Sequence, residues 1–232
     1  MSEETKPKKQ FALSPSISIL IAGVLIAGAI IFVNQHPATP VVADNENLPT
    51  NVDVPAPSAD DHIIGSPTAS IVLVEYSDFQ CYYCGQAHPT FKRLVEEGKG
   101  NVAWVMRNLP LTSIHPQAKP SALAAECIAE QLGNDGFWKF ADKVFANQDK
   151  MTPAYYAQIA SELGADPTQY ASCVSSEKYW TKIQAEAAEA QANGASGTPF
   201  TVLVGNGLQV PISGALPYEQ FVAVIKAIND RQ

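Results

Sequence analysis

The chain has 232 residues, 46% of them hydrophobic and 16% charged, with a formal net charge of −8. This apolar content excludes a disordered chain, and the acidic balance argues against nucleic-acid binding, which needs basic patches. The length accommodates one medium domain with accessory segments.

Residues 1–10 read as a basic cytoplasmic tail carrying Lys6, Lys8 and Lys9, and residues 11–33 as a transmembrane anchor. Ile17 to Val33 is apolar apart from Ser18, and Phe11 extends the run upstream. A bilayer core needs about 20 apolar residues. No Lys or Arg follows until Lys92, so the positive-inside rule keeps the N-terminus in the cytoplasm and exports the rest. The alternative is a cleaved signal peptide ending near Val41-Val42-Ala43. Signal h-regions run only about 7–15 residues, which favours the anchor. The expected location is therefore the cytoplasmic (inner) membrane, single pass, with the following domain in the periplasm or cell exterior. Residues 34–61 are rich in Pro, Asn and Asp without apolar periodicity and read as a flexible stalk.

From residue 62 the pattern becomes globular. Ile71 to Val74 is a β-branched run after Gly65-Ser66-Pro67 and predicts a buried strand. Cys81 to Glu97 predicts a helix ending at Gly98, and Val102 to Met106 a second strand, giving a parallel βαβ unit. Ala122 to Leu132 predicts a helix stopped by Gly133. Phe137, Phe140, Ala141, Val144 and Phe145 follow helical spacing and are expected in the core. Further helices are predicted over Pro153–Leu163, Pro167–Val174 and Tyr179–Ala192. Phe200 to Val204 and Leu208 to Ile212 flank Gly205-Asn206-Gly207 as a hairpin, and Phe221, Val224, Ile225 and Ile228 line a closing helix. The order βαβ, helices, ββα is an α/β sheet with a helical insertion at about 115–180.

Cys81-Tyr82-Tyr83-Cys84 follows the first strand and opens the first helix. A thiolate is the nucleophile of disulfide exchange, and unpaired N–H groups at a helix N-terminus favour that anion. Cys81 is therefore the expected attacking thiol. Cys84, one turn on, is the expected resolving thiol. The competing reading is half of a structural zinc site, which usually needs a second such pair or spaced histidines. The other cysteines, Cys127 and Cys173, stand apart from each other, and His62, His88 and His115 are scattered. Four cysteines allow three pairings, among which spacing does not choose.

The segment Glu75 to Cys84, together with Gly197-Thr198-Pro199 and the strand after it, resembles the DsbA-like branch of the thioredoxin superfamily over roughly residues 58–230. The resemblance implies a thioredoxin fold with an inserted helical domain over residues 62–232 and protein thiol–disulfide oxidoreductase activity without a cofactor or metal. It implies a cis Thr198–Pro199 bond facing the redox pair, with the Thr198 backbone open to an extended substrate. Glu75 reads by itself as an exposed strand end; the resemblance makes it a buried carboxyl beneath the pair, moving protons for Cys84. The family also implies a structural Cys127–Cys173 bridge. Pro89 resembles the kinking proline of the thioredoxin helix. His88 is expected on the helix surface and is given no catalytic part, and Asp78 is expected to support the turn.

The implied function is disulfide formation in exported cysteine-containing proteins, with a DsbB- or VKOR-like membrane partner reoxidising the pair. Strongly oxidising DsbA proteins carry Pro-His between the cysteines, whereas this chain carries Tyr82-Tyr83. A potential less oxidising than about −120 mV follows. The alternatives are a disulfide isomerase or reductase, and an anchored binding or holdase module whose CxxC is only structural.

Overall fold

A computed structural model describes residues 52–231. The basic tail, the anchor and residues 34–51 of the stalk lie outside the described residues. Among the described residues, no helix is long and apolar enough to cross a membrane.

The Ile71–Ser77 segment forms β2, the centre of a five-stranded sheet. Its neighbours are β3 (Val102–Asn108), which runs parallel to it, and β4 (Phe200–Gly205), which runs antiparallel. The edges are β1 (His62–Ile64) beside β3 and β5 (Leu208–Ser213) beside β4, both antiparallel. The hairpin between β4 and β5 turns through Asn206 and Gly207, both at positive φ.

Alternation along β2 sends Ile71 and Leu73 to one face and Val72, Val74 and Tyr76 to the other. The first face packs against α1 (Tyr82–Glu97), through Phe91 and Leu94, and against the closing helix α6 (Tyr218–Asn229), through Phe221 and Ile228. The second packs against Ala190 of α5 (Trp180–Ala192) and against Val54. Burying a Leu or Ile side chain contributes about 1.5–3 kcal/mol. A one-residue slip would expose both rows, so the register is fixed. That register puts Glu75 on the inner face, towards α1.

Between β3 and α5 lies the helical block. α2 (Ala118–Phe145) is two helical segments that meet at a kink at Gly133, whose φ of 68° breaks the helical path where the sequence predicted a stop. α3 (Pro153–Leu163) starts with the Thr152 side chain accepting from the Tyr155 N–H and ends at left-handed Gly164. α4 (Pro167–Ser175) starts with Asp166 accepting from the Gln169 N–H. Phe137, Phe140, Ala141 and Val144 are buried in the main core, with Phe145 packed against it.

Cys127 of α2 and Cys173 of α4 form a disulfide across 46 residues of sequence. Closing a loop of that size restricts the unfolded chain, and removing the link in a Cys127→Ser/Cys173→Ser variant is expected to cost about 2–4 kcal/mol. The expected readout is a lower denaturation midpoint with thiol exchange by the other two cysteines unchanged.

Two expectations need correction. The segment assigned to the end of a flexible stalk is docked: Val54 is buried, and its N–H and C=O pair with the Gln209 carboxamide. Asp61 pairs with Arg107 at 2.8 Å. Single anchoring residues in a polar segment leave no periodicity to read. The first strand runs three residues beyond Val74, so Glu75 lies inside it and is buried, as the resemblance implies. His88 is buried, with Nε2 2.7 Å from Asp142 and its ring centroid 5.0 Å from that of Trp104. It stands one turn after Cys84 on the inner face of α1, and the Asp142 carboxylate offsets the burial of its polar ring.

Candidate active site

The loop between β2 and α1 is fixed before the cysteines begin. Asp78 is buried and accepts from the N–H groups of Gln80 (2.8 Å) and Leu111 (2.9 Å), with His115 Nδ1 at 2.8 Å. Its carbonyl accepts from the Cys81 N–H at 3.0 Å. Phe79 packs among Phe137, Phe140 and Phe145. This leaves Cys81 as the N-cap of α1, with extended backbone and the first turn of the helix beneath it.

Cys81 and Cys84 are unbonded thiols. Cys81 is 5% exposed and Cys84 0%, so only Cys81 meets the surface. Hydrogen bonding from Cys84 brings the Cys81 thiol down to about 5; burial opposes this, while the Thr198 side chain and the N–H groups of Cys84 and Tyr83 add to it. Cys84 moves the other way. Burial pushes its thiol well up, reinforced by its bond to Cys81 and by the charges of Glu75 and Cys81. The pair is thus split into one acidic and one reluctant thiol.

Thr198–Pro199 is a cis peptide bond. The Cys81 thiol donates to the Thr198 carbonyl at 3.3 Å. The Thr198 hydroxyl is buried and, among the described residues, has no partner. It is available to donate to the sulfur once Cys81 ionises. Tyr82 and Tyr83 are 65% and 61% exposed and meet edge to face at 5.5 Å. They frame the rim around Cys81.

Glu75 is buried and accepts from Ser77 Oγ (2.8 Å) and Trp104 Nε1 (2.9 Å). Burial outweighs both bonds and raises its carboxyl to about 8, with the Cys81 charge adding to the rise. Thr201, its partner across the β2–β4 ladder, carries a buried hydroxyl that has no partner among the described residues. An acidic thiol, a buried reluctant thiol and a carboxyl that holds its proton at neutral pH are thereby gathered around one helix end. Among the described residues, no cluster of three or more His, Cys, Asp or Glu side chains is placed to hold a metal ion.

Cys81, Cys84, Thr198, Pro199 and Glu75 come together as the sequence grouped them, with Tyr82 and Tyr83 at the rim. Cys127 and Cys173 sit in the helical block. Sequence reasoning missed Ser77, Trp104, Thr201 and Gln148. Ser77 was legible, because i+2 on a strand shares the face of Glu75. The other three reach the site from different elements and carry no local signal.

Fold and site together define the class, a thioredoxin-fold protein with a paired-cysteine site at a helix N-terminus. The chain belongs to the thioredoxin family, whose model matches residues 58–227. Among solved structures it is similar to alpha-DsbA1 of Wolbachia pipientis (TM-score 0.64, 21% identity, 75% of this chain and 94% of that one). It is similar also to oxidised BdbD of Bacillus subtilis (0.64, 19%, 73% and 94%) and to DsbA2 of Pseudomonas aeruginosa (0.60, 24%, 75% and 95%). At these identities the likeness is one of fold. Curated relatives include Na(+)/H(+) antiporter NhaA 3 of Salinispora tropica, 36% identical over 146 residues, which are 63% of this chain and 22% of that protein. NhaA of Herminiimonas arsenicoxydans is 30% identical over 181 residues, 78% of this chain and 28% of that protein. The chain spans less than a third of the length of these relatives, and no transport activity is carried across.

Proposed function

We propose that this chain forms disulfide bonds in exported proteins by exchange through Cys81 and Cys84. A substrate thiolate attacks the Cys81 sulfur of the oxidised pair, the S–S bond to Cys84 breaks, and Cys84 leaves as a thiolate that is then protonated. The substrate's second thiolate attacks the substrate sulfur of the mixed disulfide and expels Cys81. The substrate loses two electrons and two protons, and the pair gains them. A quinone-linked membrane partner of the DsbB or VKOR kind takes those electrons. Residues 11–33 anchor the chain in the cytoplasmic membrane, with the domain in the periplasm or cell exterior and the docked segment 52–61 carrying the link onto the sheet.

The observation that carries the direction is the acidity of Cys81. At pH 7 a thiol near 5 is about 30-fold more ionised than a free Cys near 8.5. Nucleophilicity falls with pKa at a Brønsted slope of about 0.4–0.5, which over roughly 3.5 units removes about 25–55-fold. Acidity therefore gains nothing in attack. Its benefit is in departure, when oxidised substrate is released, and in stabilising the reduced enzyme, which makes the pair oxidising.

A value near 5 lies between the attacking thiols of DsbA, about 3.5, and thioredoxin, about 7. Equilibration with glutathione is expected to give a potential between about −270 and −120 mV, and thiol trapping in cells a mostly oxidised pair. A mostly reduced pair in cells would assign the chain to reduction or isomerisation instead.

A further inference from the structure

One feature of α1 runs against helix propensity: Gly85, directly after Cys84. A glycine in a helix interior costs about 1 kcal/mol relative to Ala. The space that a side chain would take is filled from another element. A Cβ at Gly85 would stand 2.7 Å from Oε1 and 3.1 Å from Cδ of Gln148. Gln148 belongs to the single 3₁₀ turn Gln148–Lys150 that follows α2. Its Nε2 donates to the carbonyls of Phe79 and Cys81, both at 2.9 Å. Among the described residues, the Cys81 carbonyl otherwise accepts only the long first bond of the helix, from the Gly85 N–H at 3.2 Å.

We propose that Gln148 is a positioning residue of the exchange site: its carboxamide, seated over Gly85, holds the Cys81 carbonyl and so sets the balance between dithiol and disulfide in the Cys81–Cys84 pair. The argument rests on the geometry of an N-cap. Cys81 is extended while Tyr82 is already helical, so the peptide plane between them is where the path changes. The N–H groups of Tyr83 and Cys84 favour the Cys81 thiolate only while that plane holds the helix end under the sulfur. One helix bond of 3.2 Å secures it weakly, and the carboxamide adds a shorter second bond and ties Phe79 as well. The helical block therefore reaches into the redox loop through one neutral side chain. The titratable groups that bear on Cys81 are Cys84 on its own helix and Glu75 on β2, and neither bonds to Gln148.

This inference deepens the exchange reading and rests on it. The test uses the full chain in detergent, following thiolate absorbance against pH and the equilibrium with glutathione. Gln148→Met removes both donors without changing charge, and Gln148→Glu puts acceptors where donors stood. Losing a hydrogen bond of ordinary strength is expected to raise the Cys81 pKa by about 0.5–1 unit, more for Glu than for Met. The weaker thiolate favours the disulfide about threefold to tenfold, a shift of roughly 15–30 mV towards reducing potential at 29.6 mV per tenfold. Gly85→Ala keeps the carboxamide but displaces it, and the same direction of shift is expected. Should either Gln148 variant fail to fold, Gly85→Ala decides. Folded variants that keep the parent's pKa and equilibrium overturn the proposal. An ordinary thiol pKa in the parent itself would instead overturn the exchange reading, which separates the two failures.

Discussion

Replacing Cys84 with Ser is expected to turn the protein from a catalyst into a trap, with mixed disulfides accumulating on Cys81 and turnover lost; Cys81→Ser is expected to abolish both. Cys84 has no exposed surface, so a substrate thiolate reaches only Cys81. Once a mixed disulfide forms, it is resolved by the substrate's second thiol or by Cys84. A single cysteine stores no disulfide of its own and cannot pass one on. The acid shift makes a second, quantitative expectation. At pH 6 a thiol near 5 is about 90% ionised and one near 8.5 about 0.3%, a ratio of roughly 300. The lower nucleophilicity takes back about 25–55-fold. In the reduced parent, alkylation of Cys81 is therefore expected to run about 5–10-fold faster at pH 6 than that of an ordinary cysteine, with the advantage gone near pH 7. Cys84 in Cys81→Ser is expected to react more slowly than either. Non-reducing electrophoresis reads the trap and mass spectrometry the alkylation. Absence of adducts with disulfide-bonded proteins, whose S–S bond the Cys81 thiolate would attack with release of a substrate thiolate, together with an ordinary pH profile, would leave only an anchored binding module.

The elements whose residues repeat with a clear period were legible in the sequence. β2, the paired strands β4 and β5, and helices α3 and α4 appear within a few residues of where the pattern put them. β1 was not legible, because three residues on a sheet edge are too few to show alternation. The docking of residues 52–61 was hidden for a related reason. It depends on Val54 and on the Asp61–Arg107 pair, contacts more than 40 residues apart in sequence. In the site, the cysteines announce themselves by spacing and by the helix they open. The depth of Glu75 does not, since Val74-Glu75-Tyr76 fits an exposed strand end as well as a buried one. Burial on both faces of β2 comes from α5 and Val54 on one side and α1 and α6 on the other, and α5 and α6 are remote in sequence. Gly85 was the one visible trace of Gln148, a helix-weakening residue whose reason lies some 60 positions downstream.

Glu75→Gln is expected to make the protein more stable and a slower catalyst at once. In the folded chain the carboxyl is raised to about 8 from an ordinary 4.5. Below pH 4.5 it is protonated in both states and imposes no pH-dependent cost. As pH rises from about 4.5 towards 8, the unfolded chain ionises while the folded one keeps its proton, so stability falls by about 1.4 kcal/mol per unit. Near pH 7 the accumulated loss is about 3 kcal/mol. Gln removes that slope but offers one acceptor to the two donors Ser77 and Trp104. The mismatch returns about 1 kcal/mol. A net gain of about 2 kcal/mol at pH 7, shrinking to nothing or reversing near pH 4.5, is expected in denaturant titrations of parent and variant. Exchange should move the opposite way. Cys84 is held as a thiol by burial and by the neighbouring charges, so each time it attacks it must lose a proton, and each time it leaves it must gain one. Bulk water does not reach a fully buried sulfur, and Glu75 is the titratable group whose charge acts on Cys84 from β2. Positioned proton transfer contributes about 10²–10⁴-fold. The steps in which Cys84 attacks or departs are accordingly expected to slow by about 100-fold in Glu75→Gln, with the acidity of Cys81 kept. Equal rates in stopped-flow exchange with glutathione would deprive the carboxyl of that part. A group that lowers stability across the neutral range and sits within the field of the resolving thiol is explained by its proton, because an apolar or amide side chain would serve packing better.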